Sequence, residues 1–241
     1  MLITSLDNKK IKEITKLKQK KYRDIENKFI IETENLIKEA YLEDKLEEVY
    51  LLENQQLSFN VNCPVNYITD KVMNKIKSIN TSKALAVVTK TDSKEYIGKK
   101  YLMLDKISDP GNLGTIIRSA VAFQIDTIIV SEDCCDIYND KVIRATEGAI
   151  FKINIVKENL IEAISNLEKL NIPVYGTDVN NGTDVTTIDR DSFCIIMGNE
   201  GQGIREEIKS KLTKNIYIKT KTVESLNVAV ATSIILYELS K

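Results

Sequence analysis

The stretch YLMLDKISDPGNLGTIIR, residues 101–118, reads as strand, turn and helix in immediate succession. Tyr101 to Leu104 form an unbroken apolar run, Pro110 and Gly111 force a turn, and Leu113, Ile116, Ile117, Ala120 and Val121 recur at the spacing of a buried helical stripe. Asn112 stands where that helix starts and is predicted to be its N-cap. Arg118 is off the stripe. It shares a face with Gly114 and Ala122, and helical side chains lean towards the N-terminus, so it can reach across a residue without a side chain to the mouth of its own loop. A plain surface ion pair is the other reading. The pattern G-x-G-x-x-G is absent, which excludes an ordinary dinucleotide-binding turn.

Outward from this stretch the same unit repeats. Strands are predicted at 101–105, 127–131, 151–156, 172–177, 193–198 and 215–219, with helices between them and a last helix over 226–239. Short apolar strands alternating with helices predict a mainly parallel sheet covered on both faces. Ligands of such sheets sit outside the carboxyl ends of the strands, which singles out the loops 106–114, 198–203 and 219–225. The second loop, within MGNEGQGI (197–204), has three glycines that permit close approach to bare backbone, and between them an acid, Glu200. The third leads into TVESLNVAVATSIILYEL (222–239), where Ser225 is the predicted N-cap and Asn227 the polar exception in an otherwise apolar helix. A helix with so little polar face is expected to be covered by the sheet and by a second subunit.

The first ninety residues form a separate α/β pattern. Helices are predicted over 8–22, 33–44 and 70–78, and strands over 28–32, 47–52, 65–69 and 84–89. The polar segment 90–100 lacks apolar periodicity and reads as a linker, so two domains are expected, 1–95 and 96–241.

Composition narrows the chemistry. The chain of 241 residues has no His, which removes Ser-His-Asp and Cys-His catalysis and a His general base. Cys63, Cys134, Cys135 and Cys194 lack metal-binding spacing, so no metal and no disulfide is expected, and thiols in the reduced state suit a cytoplasmic protein. No apolar run reaches the length of a membrane span, and the charged N-terminus does not resemble a signal peptide. The net charge is −1, yet residues 1–28 carry nine basic side chains against four acids, a candidate phosphate-contacting surface or simply a solvated helix face.

Taken together, DPGNLGTIIRSAVAF, IIMGNEGQGI and IKTKTVESLNVAVA resemble, in order, the three signature motifs of the SpoU/TrmH family of SPOUT RNA ribose methyltransferases. The resemblance implies a C-terminal α/β trefoil-knot domain with a mainly parallel sheet, preceded by a small α/β substrate-binding domain. It also implies S-adenosyl-L-methionine as cofactor, a ribose 2′-hydroxyl of RNA as methyl acceptor, and a homodimer formed through the C-terminal domain. Ribosomal RNA is expected as substrate ahead of transfer RNA; a non-catalytic RNA-binding dimer is the alternative outside enzymes. Residue by residue, the resemblance assigns catalytic positions to Arg118, Asn112, Glu200, Ser225 and Asn227. It assigns the cofactor pocket to Met197, Gly198, Ile218 and Leu226, bordered by Thr177. The chain departs from the family pattern at Thr33 and Gln124, where glycine is usual, and at Ile218-Lys219, where Ile-Pro is usual.

The role of Arg118 has two readings. A guanidinium in water holds its proton so firmly that using the neutral form as a base at pH 7 costs roughly 7 kcal/mol. The alternative is a charged clamp that holds a phosphate and offsets charge on the forming alkoxide.

Overall fold

The computed structural model describes residues 2–178, 182–223 and 225–241, and it divides into two compact units. One comprises the chain up to Thr91 together with Tyr138–Phe151; the other is Asp92–Ile137 with Lys152–Lys241. The first unit is therefore discontinuous, a feature that no composition shift in the sequence signals.

In chain order the first unit has β1 (Leu2–Ile3), α1 (Lys9–Lys16), α2 (Lys20–Glu26), β2 (Lys28–Glu32), α3 (Glu34–Leu42), β3 (Leu46–Leu52), β4 (Val65–Ile68), α4 (Asp70–Ile76) and β5 (Ala84–Thr89). Its sheet has the order β1-β4-β3-β5-β2, parallel on the β1-β4-β3 side and antiparallel on the β3-β5-β2 side. Strand alternation divides the core. Tyr50, Ile68, Leu85 and Val87 pack with Ile11, Ile14 and Leu17 of the first helical segment and with Val72, Met73 and Ile76 of α4. Residues of the other parity are also buried, and there Phe29 meets the rings of Tyr138 and Phe151 at 4.8 and 6.1 Å.

The single helix predicted over 8–22 is two helices. At the break, buried Arg23 turns back and its Nη1 donates to the carbonyls of Leu17 and Lys18, each at 2.9 Å, serving backbone groups that would otherwise be orphaned. Thr33 has φ 90 while capping α3, an outlier for a β-branched residue. Its cap bond to Leu36 N is long, 3.4 Å. We expect Thr33→Gly to raise stability by about 1 kcal/mol and the melting temperature by about 2–4 °C, since relieved strain exceeds a lost cap worth a few tenths. A thermal melt at or below the wild type would refute this account of the loop.

The second unit holds β6 (Asp92–Ser93), β7 (Lys100–Leu104), α5 (Pro110–Ala122) and β8 (Thr127–Val130). After α6 (Asp140–Thr146), which belongs to the first unit, it resumes with β9 (Asn154–Lys157), α7 (Leu160–Lys169), β10 (Val174–Thr177), β11 (Thr183–Asp184), β12 (Phe193–Met197), α8 (Glu206–Lys209), β13 (Lys214–Tyr217) and α9 (Val228–Leu239). All neighbours in its eight-stranded sheet, ordered β11-β13-β10-β12-β7-β8-β9-β6, are parallel. One face packs on α7 and α8 through Tyr101, Met103, Ile129, Cys194, Ile196, Leu160, Ile164 and Ile208. α5 and α9 pack against one another, and both bury a row of apolar side chains.

Two sequence boundaries are corrected. The strand predicted over 151–156 starts only at Asn154, because Gly148 at φ 92 leads into a 3₁₀ turn over Ala149–Phe151. The segment read as a linker contributes β6, which pairs with β9, and is fastened further along: Asp126 Oδ2 accepts the N–H groups of Lys99 and Lys100 at 2.8 and 2.9 Å. That fastening needs Gly98, whose absent Cβ would lie 2.1 Å from the Asp126 side chain.

Candidate active site

The chain leaves β7 for β8 and β9 on one side of the sheet, while β12, its other neighbour, belongs to the opposite side. This is a topological switch point, where the loops after two adjacent strands diverge and leave a crevice. The loops following β7 and β12 open there.

α5 begins with Pro110, and its N-cap is Asp109, whose Oδ1 accepts the Asn112 N–H at 2.8 Å. The prediction of Asn112 as N-cap is thus corrected. Pro at the first helical position lacks an N–H, and a carboxylate suits the positive helix end. Asn112 is left with its side chain free for other work. Its Nδ2 donates to Glu200 Oε1 at 3.0 Å, and its Oδ1 accepts from Asn227 Nδ2 at 2.9 Å. Asn227 in turn caps α9, its Oδ1 accepting from Ala229 and Val230 N–H at 3.0 and 3.3 Å. Ser225, predicted for that cap, lies two residues earlier, because the Asn227 oxygen is the one that reaches the free N–H groups of the first turn. Glu224 of the same loop lies outside the described residues.

Glu200 gathers the motif 1 loop. Besides Asn112 it accepts from Ser108 Oγ at 3.0 Å, from the Ser108 and Asp109 N–H groups at 3.4 and 3.3 Å, and from Asn199 Nδ2 at 3.3 Å. Partial burial works against its charge, but the bonds from Asn112, from its own N–H and Asp109 N–H, and from Ser108 outweigh it and hold its carboxyl below the ordinary range. Cys135 nearby has its thiol pushed up to about 12, by burial first and then by negative neighbours that include Asp109, Glu200 and Asp136. A protonated thiol there is no nucleophile.

Behind this network lies a cavity of about 440 Å³, in the range of small-molecule sites. Its lining includes all five positions expected around a cofactor, Thr177, Met197, Gly198, Ile218 and Leu226, together with Glu200, Ser225 and Asn227. Thr177 is oriented by its Oγ1 donating to Ile196 O at 3.0 Å. Gly198 permits the tight return of the loop: a Cβ there would stand 2.3 Å from the Gly203 carbonyl carbon and 2.4 Å from Ile204 N. Asn112 and Arg118 do not line the cavity. Arg118 is exposed on α5, and among the described residues no hydrogen bond or ion pair engages it.

Sequence reasoning missed two supports of the site. Asn199 bridges its own loop, its Oδ1 accepting Gly201 and Gln202 N–H at 3.0 and 3.1 Å while its Nδ2 donates to Lys106 O at 2.8 Å. The Asn-x-Gly sequence carried the signal of such an Asx turn. The second is an ion pair between strand end and loop end. Asp105, fully buried, accepts from Arg205 Nε at 2.8 Å and Arg205 N–H at 3.0 Å, with Arg205 Nη2 at 2.6 Å. No local pattern announces it, since the partners are far apart in the chain.

Comparison with known proteins agrees with this geometry. The profile of the SpoU rRNA Methylase family matches residues 99–237, and that of the MRM3-like substrate binding domain matches residues 8–92. The 23S rRNA (guanosine(2553)-2'-O)-methyltransferase RlmP of Bacillus subtilis (strain 168) is 33% identical, over 98% of this chain and 98% of its own. A crystal structure of an rRNA methyltransferase from Sinorhizobium meliloti superposes with TM-score 0.88 at 28% identity, covering 99% of this chain and 96% of that one. An AdoMet-bound structure described in the same words superposes with TM-score 0.86 at 29% identity, covering 99% and 97%. With matched motifs, matched fold and a relative aligned from end to end, the chain belongs to the SpoU rRNA Methylase family.

Proposed function

We propose that the protein methylates a ribose 2′-hydroxyl of ribosomal RNA with S-adenosyl-L-methionine as donor. The observation that carries this reading is the chain Asn227–Asn112–Glu200, which joins the cap of α9, the first turn of α5 and the loop after β12, with Glu200 and Asn227 on the lining of one cavity. The cavity suits the cofactor: Ile216, Ile218, Leu226, Val228 and Ile235 offer apolar walls for a flat base, and the Met197–Gly203 loop brings main chain close. When bound, S-adenosylmethionine supplies an electrophilic methyl group on a sulfonium.

The protein's part is to hold the ribose hydroxyl in line and to offset its developing charge. Asn112, Glu200, Ser225 and Asn227 form the rim that positions it. Arg118 serves as a charged clamp on the RNA backbone. Its side chain is exposed on α5, open to an RNA phosphate. Glu200→Gln is expected to lower turnover about a hundredfold, because an amide N–H₂ then competes with the Asn112, Asn199 and main-chain N–H donors that the carboxylate accepts from. Since the Glu200 carboxyl titrates below its ordinary value near 4.5, its contribution is complete above that pH. It is lost only as pH falls through the lowered value, so a pH–rate profile should show no Glu200 limb between about pH 5 and 8.

Ribosomal RNA is preferred over transfer RNA because RlmP, whose name specifies 23S rRNA, aligns along nearly the whole chain, and because the N-terminal region matches a substrate-binding domain. Residues 1–95 are assigned to RNA binding and 96–241 to methyl transfer. On the first domain, Lys16 and Lys21 stand exposed over the Tyr22 ring and Lys20 is exposed too, while Lys9, Lys10 and Lys12 already pair with Glu13, Glu48 and Asp7. A homodimer through α9 would cover Val230, Ile234 and Tyr237, which stand exposed on an otherwise apolar helix. The family's trefoil knot and a cytoplasmic location complete the proposal; no helix among the described residues is long and apolar enough to cross a membrane.

The deciding experiment is mass spectrometry of ribosomal and transfer RNA from a strain lacking the gene. One ribose methylation should vanish from ribosomal RNA and return with the gene. Loss from transfer RNA would redirect the substrate, and no loss in either class would favour a non-catalytic RNA-binding dimer.

A further inference from the structure

Eight described non-glycine residues have positive φ. Asn27, Asp44, Gln124, Glu147 and Asn171 follow helix ends, where this conformation is the usual terminator, and Asn54 is of a type that tolerates it. Thr33 caps a helix. Lys106, at φ 56 in the motif 1 loop, has neither reason. Its conformation is imposed from both sides: its N–H donates to Ser131 Oγ at 2.9 Å, and its carbonyl accepts from Asn199 Nδ2 at 2.8 Å. Glycine would adopt that backbone at less cost. A lysine in a glycine-favouring position points to use of its side chain.

Its electrostatic setting says what the use is. The mouth of the site is rich in acids: Asp109, Asp136 and Glu200 act together on Cys135, and Asp133 feels Lys106 and Arg205. A polyanion approaching such a mouth is repelled unless cations are held there. Arg205 is committed to Asp105, Asp133 and Glu207. Lys106 is exposed, and among the described residues no hydrogen bond or ion pair engages its side-chain ammonium, although Asp133 feels its charge. It sits two residues ahead of Ser108, which bonds Glu200.

We propose that Lys106 is a substrate-binding residue that holds an RNA phosphate flanking the ribose presented at the Asn112–Glu200 rim. The inference rests on the reading of the site as an RNA ribose methyltransferase. Phosphate contacts fix register without reading bases, so the effect should be on RNA affinity and its salt dependence rather than on cofactor binding.

The test compares full-length Lys106→Gly, Lys106→Ala and Lys106→Arg. The probe is unmodified 23S rRNA transcribed in vitro, with binding measured from about 50 to 300 mM KCl. Cofactor affinity is followed by calorimetry. Loss of one phosphate contact on single-stranded RNA should lower the slope of log K against log salt by roughly 0.7 and the affinity about fourfold at 0.15 M salt. Glycine and alanine should show both losses, arginine neither, and all three should bind S-adenosylmethionine as the wild type does. The glycine variant should melt at or above the wild-type temperature. Wild-type salt slopes in Lys106→Ala would overturn the contact. So would a loss confined to glycine, which is loop flexibility, or a loss shared by arginine. A wild type that neither bound nor methylated RNA would bring down the functional reading with it, whereas an active wild type matched by Lys106→Ala would bring down the contact alone.

Discussion

An Arg205→Met protein is expected to melt about 10 °C below the wild type, a loss of about 3 kcal/mol. The reason is asymmetry. Asp105 has no exposed surface, and without the guanidinium its carboxylate keeps only the Arg205 backbone N–H as partner from the loop. Stranding a buried charge costs far more than an exposed ion pair contributes, and Arg205 is the group whose own side chain is partly open to water. If this is right, Asp105→Leu combined with Arg205→Met should recover much of the loss, since the stranded charge is gone. Calorimetry of the two single variants and the double variant decides it: a shift of less than about 2 °C in Arg205→Met, or simple additivity, would mean that the pair is not coupled as drawn. The pair joins the end of β7 to the far end of the loop carrying Glu200, so its loss should also loosen the site.

Arg118→Ala should lower turnover about a thousandfold, near the upper range for removing one group that stabilises developing charge. Cofactor affinity should stay close to the wild type, because Arg118 lies outside the cavity lining. Single-turnover methyl transfer with saturating RNA, beside calorimetry with S-adenosylmethionine, separates the two quantities. Arg118→Lys sharpens the outcome: substantial retained activity would count against both a neutral base and a bidentate clamp, since an ammonium reproduces neither. Full activity in Arg118→Ala would remove the residue from the mechanism.

The sequence was most informative where chemistry is local. An apolar strand run followed by Pro110, Gly111 and a 3.6-residue stripe can form little else than strand, turn and helix, and six such units can only build a mainly parallel sheet. It was least exact at helix starts. Asn112, Ser225 and Asn227 are all good capping residues, and propensity does not say which oxygen meets a free N–H; Asp109 and Asn227 do, because Pro110 and the loop geometry bring them there. The break between α1 and α2 escaped for a similar reason, since it depends on where the buried Arg23 guanidinium lands.

Sequence alone thus established the α/β class, the loops that matter and the residue types at their tips, since periodicity and turn chemistry are properties of neighbours along the chain. What needed three dimensions was partnership across the chain. Asn112 meeting Glu200 and Asn227, Asp105 meeting Arg205, and Lys106 held between Ser131 and Asn199 all join residues from different strands and loops. Such pairs leave no periodic trace, because what brings them together is the order of strands in the sheet and the crevice where that order reverses.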